Sequence, residues 1–181
     1  EEQLVVKQFL NEDDFVEEEY ISRLLVQFLK NNPHENFSIV PSYIPRNCSN
    51  SIILHGKNGD LNNFGVTPQI NDIRENNKNL MKKISIHIYK SVIDSILNLF
   101  RKDIFYNDLK PRNLLYSFPN IDDIAQDITE DDLLSNLRIY LADLGGIFFA
   151  NNFYITNGLK TTDHLNNIGL FTYCYISKFN E

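Results

Sequence analysis

The sequence predicts an α+β domain, and three observations support that prediction. Short apolar runs of the kind that form strands occupy the first part of the chain, and two longer stretches repeat their apolar residues at helical spacing. With 181 residues, 43% of them apolar and 12% aromatic, the chain is long enough to bury one core and short for two. We therefore expect one domain over residues 1–181.

Charge and composition exclude several functional classes. The formal net charge of −7 disfavours a broad electrostatic grip on nucleic acid or anionic lipid, so any phosphate must be held locally. Cys48 and Cys174 lie far apart in no metal-like spacing, which favours a reducing compartment over a disulfide scaffold or zinc module. No apolar run reaches the roughly 18 residues of a membrane span, and the acidic start is unlike a signal peptide. We expect a soluble, intracellular protein.

The first part of the chain predicts the order strand, helix, strand, strand. Residues 2–10 form an apolar run with one lysine, as a buried strand does. Asn11 can cap a helix whose first turn is acidic and whose apolar residues recur at helical spacing until Pro33. Residues 37–41 and 51–54 predict two further strands.

The second part begins with an Asn-rich stretch, for which we expect a loop or a short irregular helix. Residues 80–102 then predict a long helix with the strongest periodicity in the chain. Its expected core face consists of six apolar residues, Ile84, Ile88, Ile93, Ile96, Leu97 and Phe100. Short strands at 114–116 and 139–142 flank an acidic segment at 122–132, most simply a solvated insertion, and a last helix is expected over 164–178.

The strongest chemical signal is a polar loop that carries Asp108, Lys110 and Asn113. Phosphoryl transfer to a hydroxyl needs a carboxylate to orient and deprotonate the acceptor, a cation to neutralise the moving phosphoryl group, and an oxygen ligand for a metal ion. Asp143 follows a predicted strand and precedes Gly145, where a carboxylate can bridge Mg²⁺ to phosphate oxygens and glycine permits a sharp turn. The pattern predicts a phosphotransfer site.

These residues resemble the eukaryotic protein-kinase superfamily. Residues 108–113, Asp-Leu-Lys-Pro-Arg-Asn, match its catalytic loop in the Ser/Thr form. Residues 143–145, Asp-Leu-Gly, match its metal-binding Asp-Phe-Gly turn, with Leu in place of Phe. Residues 5–7, Val-Val-Lys, resemble the strand whose lysine grips the α- and β-phosphates. The resemblance implies ATP and Mg²⁺ as cofactors, with Asn113 and Asp143 as the metal ligands.

The resemblance also implies a glutamate partner for Lys7 on the first helix. Residues 17–19 are all glutamates, and we expect Glu17 because Ile21 and Leu24 then follow it along the face that points at the core. Taken singly, Lys7 reads as a strand-edge lysine and Glu17 as one acid on a solvated face. The order of all the motifs along the chain favours the kinase-like interpretation.

A nucleotide site is implied by the same resemblance. Ile53 or Leu54 would be the gatekeeper residue, and His55 would follow it at the end of the strand that leads into the hinge. The backbone of the hinge, at about residues 57–63, would hydrogen-bond adenine. Residues 163–169 are weakly similar to the start of the large-lobe helix that anchors the catalytic loop.

Departures from the family pattern keep alternatives open. No glycine-rich phosphate loop precedes Lys7, Tyr106 and Asn107 replace the usual His-Arg pair, and no Ala-Pro-Glu follows Gly146. Without that Arg a phosphorylated activation loop has no basic socket, so switching by phosphorylation is disfavoured. The pattern is that of a minimal kinase, as found among bacterial effectors and large DNA viruses, that works without the usual regulation.

The sequence therefore predicts a two-lobed, kinase-like α+β fold. A truncated small β lobe occupies about residues 1–56, and a reduced, mainly helical large lobe occupies 64–181. The expected activity is ATP- and Mg²⁺-dependent transfer to a Ser or Thr hydroxyl of a protein, in the host cytoplasm if the chain is a pathogen effector.

Two other functions stay open. One is a pseudokinase or binding module that engages a regulatory protein partner, which could complete the small lobe. The other is a kinase-fold enzyme acting on a small molecule, against which the Lys110-Pro111 pair argues. In each case we expect no nucleic-acid partner and no membrane span.

Overall fold

The computed structural model describes residues 4–32, 37–40, 42–43, 51–118 and 129–150. Helices and antiparallel strand pairs are both present in these ranges, which confirms the α+β prediction. The expected helix over 164–178, the motif at 163–169 and most of the acidic segment lie outside the described residues. Among the helices described, none combines the length and the apolar character needed to cross a membrane.

One long helix fills much of the first part of the fold. Strand β1 (Leu4–Gln8) leads into helix α1 (Glu12–Asn31), close to the predicted bounds. The Asn11 side chain accepts a hydrogen bond from the Asp13 backbone N–H at 3.1 Å, and three acids in the first turn suit a helix N-terminus. The buried residues of α1 recur every three or four positions: Phe15, Glu18, Ile21, Ser22, Leu24, Leu25 and Phe28.

The first sheet has the order β1-β3-β2 and is antiparallel throughout. Strand β3 (Ser51–His55) lies in the middle and includes the strand predicted at 51–54, and β2 is only Ser42–Tyr43. The strand expected over 37–41 is wrong: Ile39 makes one isolated parallel bridge to Leu141 instead. The physical reason is that a short apolar run does not specify a strand partner. Here it makes two backbone hydrogen bonds with Leu141, from the Val40 N–H and to the Ser38 carbonyl.

The Asn-rich stretch is more ordered than expected. After the two-residue strand β4 (Gly59–Asp60) come helices α2 (Leu61–Phe64) and α3 (Pro68–Asn76). The Asp60 carboxylate caps α2 by accepting from the Asn63 backbone N–H at 2.8 Å. A proline in the first turn suits α3, because the amide it lacks has no partner inside the helix.

The remaining elements build two small sheets around the longest helix, α4 (Lys78–Phe100). They are β5 (Ile104–Tyr106), β6 (Leu114–Ser117), α5 (Glu130–Asn136), β7 (Arg138–Leu141) and β8 (Ile147–Phe149). The sheets have the orders β4-β6-β7 and β5-β8. Short 3-10 turns precede β6 and β8, at Pro111–Asn113 and Leu144–Gly146.

Helix α4 forms where the periodicity predicts, but the predicted core face is partly wrong. Ile84, Val92 and Leu99 are buried, whereas Ile93, Leu97 and Phe100 are exposed. Ile93 lies two and a half turns beyond Ile84, on the opposite side of the helix. The six apolar residues of the prediction therefore span two faces, of which one is in the core.

Two isoleucines on α4 allow a test of which face of the helix contributes to the free energy of unfolding. Ile84 is fully buried and Ile86 is 56% exposed. We expect Ile84→Ala to lower the free energy of unfolding by about 2–5 kcal/mol, because it leaves a cavity in the core. Ile86→Ala should change it by no more than about 0.5 kcal/mol. Urea unfolding followed by circular dichroism measures both, and equal losses would contradict the assignment of the buried face.

Candidate active site

Two consecutive segments and one that is far away in the sequence meet at Lys7. Its Nζ donates to Glu18 Oε2 at 2.5 Å and to Asp143 Oδ1 at 2.9 Å. Lys7 projects from β1, Glu18 from α1, and Asp143 from the turn after β7. We call these three residues the lysine cluster. It fixes the relative positions of the first sheet, the first helix and the Asp-Leu-Gly turn.

The glutamate in this cluster is Glu18, so the expectation of Glu17 is wrong. Glu17 is exposed, whereas Glu18 is only 4% exposed. The buried face of α1 follows Phe15 and Ser22 as well as Ile21, and Glu18 lies one turn from each of them. The prediction used only the apolar residues that follow Glu17. The buried Phe15, three residues before Glu18, places Glu18 on the buried face of α1.

Burial and charge act against each other inside the lysine cluster. Burial by itself lowers the pKa of Lys7, but hydrogen bonds to Glu18 and to Asp143 outweigh it, so the pKa lies above its ordinary value. Burial raises the pKa of the Glu18 carboxyl, and Lys7 offsets part of that rise. The ammonium is therefore firmly charged, with two anionic partners for one cation.

The catalytic-loop motif forms a second group, the aspartate cluster of Asp108, Lys110 and Asn113. Lys110 Nζ donates to Asp108 Oδ2, and Asn113 Nδ2 donates to the same oxygen at 2.8 Å. Asn113 Nδ2 also donates to the Asp108 carbonyl at 3.0 Å, which closes the loop on itself. The hydrogen bond from Lys110, followed by that from Asn113, lowers the pKa of Asp108. Asp108 is therefore a carboxylate at neutral pH.

Backbone hydrogen bonds join the two clusters side by side. The Asn107 N–H donates to the Gly146 carbonyl at 2.8 Å, and the Ala142 N–H donates to the Asn113 carbonyl at 2.9 Å. The Tyr106 hydroxyl adds a third bond, to the Ala142 carbonyl at 2.6 Å. Burial raises the pKa of Tyr106, so its hydroxyl stays protonated and donates. The sequence showed Tyr106 only as a departure from a motif, not as this link.

Two backbone features shape the approach of the Asp108 loop to the Asp-Leu-Gly-Gly turn. A Cβ placed on Gly146 would lie 2.6 Å from Asp108 Cβ, so only glycine allows the two loops to approach this closely. Asp143 adopts a left-handed conformation, with φ 58° and ψ 74°, which Asp tolerates better than most residues. The chain turns sharply there, and Leu144 then enters the core.

The residues proposed for a metal ion, Asn113 and Asp143, lie on the two loops that these hydrogen bonds join. Asn113 uses its amide nitrogen on Asp108, which leaves the amide oxygen as its atom for a cation. Asp143 is a carboxylate on the neighbouring turn, with 41% of its side chain exposed. In the ranges described, no group of three or more His, Cys, Asp or Glu side chains forms a ready metal site. The donor set fits a hard cation that takes its other ligands from water and phosphate oxygens.

The proposed nucleotide residues of β3 fall on two faces of the first sheet. Leu54 pairs with Val5 and shares the face of Lys7, because side chains two residues apart on a strand point the same way. Ile53 pairs with Val6 on the other face, and His55 is aligned with Leu4. Of the two gatekeeper candidates, Leu54 is therefore the one on the face of the lysine cluster.

Comparison with known proteins finds no matching family model and no matching curated protein. The structure places Lys7 against Asp143, and it places Asp108 against Lys110 and Asn113. Hydrogen bonds between the loops connect these two groups.

The two glycines of the Asp-Leu-Gly-Gly turn form a matched pair for testing the approach of the loops. We expect Gly146→Ala to displace Asp108 and to cost about 1–3 kcal/mol, because the new Cβ overlaps the Asp108 backbone and Cβ. Gly145→Ala should be nearly neutral, since its Cβ would meet only Glu18 Oε2 at 3.6 Å. Thermal unfolding and the amide chemical shift of Asp108 measure the difference; a tolerated Gly146→Ala would refute the close approach.

Neighbouring glutamates test the composition of the lysine cluster. Replacing Glu18 by Gln removes one of two anions from Lys7, so the pKa of Lys7 should fall. At pH 8 the neutral amine would then be more abundant, and acylation of Lys7, followed by mass spectrometry, should be faster. Glu17→Gln is the control and should leave the rate unchanged. The same acceleration in both variants would restore Glu17 as the partner.

Proposed function

We propose that this protein is an ATP- and Mg²⁺-dependent protein kinase that phosphorylates Ser or Thr hydroxyls. The observation that carries the proposal is the joining of the lysine cluster to the aspartate cluster by three loop-to-loop hydrogen bonds. Phosphoryl transfer is catalysed mainly by positioning and by stabilising charge, and these two clusters supply groups for both.

Asp108 is the residue proposed to act on the acceptor hydroxyl. Its low pKa makes it a weak base at neutral pH, so its main role is to orient the hydroxyl as the transfer begins. The hydroxyl oxygen forms a bond to the γ-phosphorus while the bond from that phosphorus to the β,γ-bridging oxygen breaks. The hydroxyl proton passes to Asp108, and ADP leaves with the bond's electron pair.

The lysines are proposed to hold the phosphates. The buried Glu18 carboxylate holds the Lys7 ammonium, so that the ammonium also faces Asp143 in the Asp-Leu-Gly turn. Lys110 contacts Asp108 and so lies beside the position of the acceptor, where it can neutralise the charge of the transferring group. The charges of the two clusters sum to −1, from three carboxylates and two lysines, which favours a cation in the site.

Asn113 and Asp143 would hold Mg²⁺. When bound, the metal ion would neutralise phosphate charge and draw the phosphate oxygens into line for transfer. Asn113 is 5% exposed and held by two hydrogen bonds to Asp108, so its oxygen is already oriented. The left-handed backbone at Asp143 turns its carboxylate toward Lys7, on the same side.

The face of the first sheet beside Lys7 is suited to a nucleobase. Val5 and Leu54 lie side by side there, and Val5 is 46% exposed. Two apolar side chains, with Lys7 two residues further along the strand than Val5, suit a nucleotide, which has a flat base and negatively charged phosphates. The Asn58 backbone N–H already donates to the Tyr116 carbonyl, so hydrogen bonds to the base would come from Gly56 or Lys57.

The two-lobed kinase architecture is part of this proposal. The first sheet with α1 would be the small lobe, and α4 with the two small sheets would be the core of the large lobe. The ion pair between Lys7 and Asp143 crosses from one to the other. This is the place where a cleft between the lobes would hold ATP.

A binding module is the second candidate, and one observation favours it. On β1, Leu4 and Val6 are 58% and 63% exposed on the face opposite Lys7, and the strand lies at the edge of its sheet. An exposed apolar edge strand is a common surface for a protein partner. In that case the lysine cluster would serve stability and no phosphoryl transfer would occur.

Transfer of radioactive γ-phosphate from ATP, to a mixture of proteins and to the chain itself, tests the proposal. We expect labelling that requires Mg²⁺ and is lost in EDTA. Asp108→Asn should lower the rate by about 10²- to 10⁴-fold, because an amide cannot take the proton of the substrate hydroxyl. The loop should keep its shape, since the amide oxygen can still accept hydrogen bonds. Asp94→Asn, on the exposed side of α4, is the charge-matched control and should retain full activity.

Two outcomes would contradict the kinase proposal. The first is an intact protein that labels nothing and shows no Mg²⁺-dependent ATP binding by calorimetry, which would favour the binding module. The second is equal activity in Asp108→Asn and Asp94→Asn, which would remove Asp108 from the reaction.

A further inference from the structure

An aromatic ring is the third neighbour of the Lys7 ammonium. Lys7 Nζ lies over the face of Phe9, 4.9 Å from the ring centroid. Phe9 follows Lys7 by two residues, so both side chains come from the same face of the extended chain. The phosphotransfer motifs contain no aromatic residue at this point, and no sequence pattern assigns a role to Phe9.

Phe9 is itself held in place by the first helix. Its ring meets the Phe15 ring edge to face, with 5.6 Å between centroids and 64° between planes. Phe15 is buried in the first turn of α1, one turn before Glu18. Helix α1 therefore supplies the Glu18 carboxylate to Lys7 directly and supports the Phe9 ring through Phe15.

The three neighbours of Lys7 differ in how they attract it. Glu18 and Asp143 each carry a full negative charge and lower the net positive charge available to a ligand. The face of an aromatic ring attracts a cation through its quadrupole and carries no net charge. A ring can therefore hold the ammonium in position and leave its charge available to phosphate.

We propose that Phe9 is a positioning residue for Lys7. Its ring keeps the Lys7 ammonium beside Glu18 when Asp143 binds another cation, such as Mg²⁺. The functional part of this inference rests on the proposed kinase activity. The structural part, that the ring holds the Lys7 ammonium over its face, concerns the protein alone and can be measured without nucleotide.

Leucine and tryptophan at position 9 separate the role of the ring from the role of apolar bulk. In the nucleotide-free wild-type protein, the Lys7 ε-methylene protons should show an upfield ring-current shift, because the ammonium lies over the face of the Phe9 ring. The shift should vanish in Phe9→Leu and return in Phe9→Trp.

A remote aromatic residue supplies the matched control. Phe100→Leu makes the same change on α4, where the ring contacts Phe105, and should leave Lys7 unaffected. If Phe9→Leu leaves the methylene shift unchanged, the inference is overturned. It is also overturned if Phe9→Trp does not restore the shift, since the ammonium would then not follow the face of a ring at position 9.

The kinetic measurement distinguishes this inference from the kinase proposal. If the protein transfers phosphate, Phe9→Leu should raise the KM for ATP about two- to fivefold with little change in kcat. A wild-type protein that transfers nothing would refute the kinase proposal, while the NMR result would still decide the role of the ring. A lowered kcat with an unchanged KM would refute the assignment to phosphate binding.

Discussion

The position of one ammonium group determines how the rest of the site is arranged. Glu18 is nearly buried, and a buried carboxylate is costly unless a cation lies against it, so the helix tolerates Glu18 because Lys7 reaches it. The second bond, from Lys7 to Asp143, fixes the Asp-Leu-Gly turn against the first sheet. Through that turn the loop-to-loop hydrogen bonds then place Asp108. Loss of the ammonium would leave two carboxylates close together with no counter-ion.

Local patterns in the sequence predicted elements better than they predicted faces. Apolar periodicity was sufficient to find α1 and α4, because each helix buries a stripe along its whole length. Choosing the residue that faces a given partner requires an accuracy of about 100° around the helix axis. The errors at Glu17 and at Ile93 are errors of this kind. The strand expected at 37–41 failed for a different reason, since a short apolar run says little about the partner it pairs with.

The candidate site shows the same division between short-range and long-range information. Asp108, Lys110 and Asn113 lie on one loop, and their spacing was enough to group them. Contacts between the two loops could not be predicted, because no local signal relates Tyr106 to Ala142 or Gly146 to Asp108. Phe9 belongs to the same category: its importance depends on where a helix places Phe15, and only the folded chain determines that.

The separation of Lys7 and Asp143 along the chain has a consequence for folding. The two residues are 136 positions apart, yet their side chains touch. A contact of this range closes a very large loop, and its entropic cost must be met by contacts formed earlier. The site should therefore assemble late, after the helices and small sheets have formed. In a nascent chain that still lacks β7 and the following turn, Lys7 would have Glu18 as its ion-pair partner and not yet Asp143.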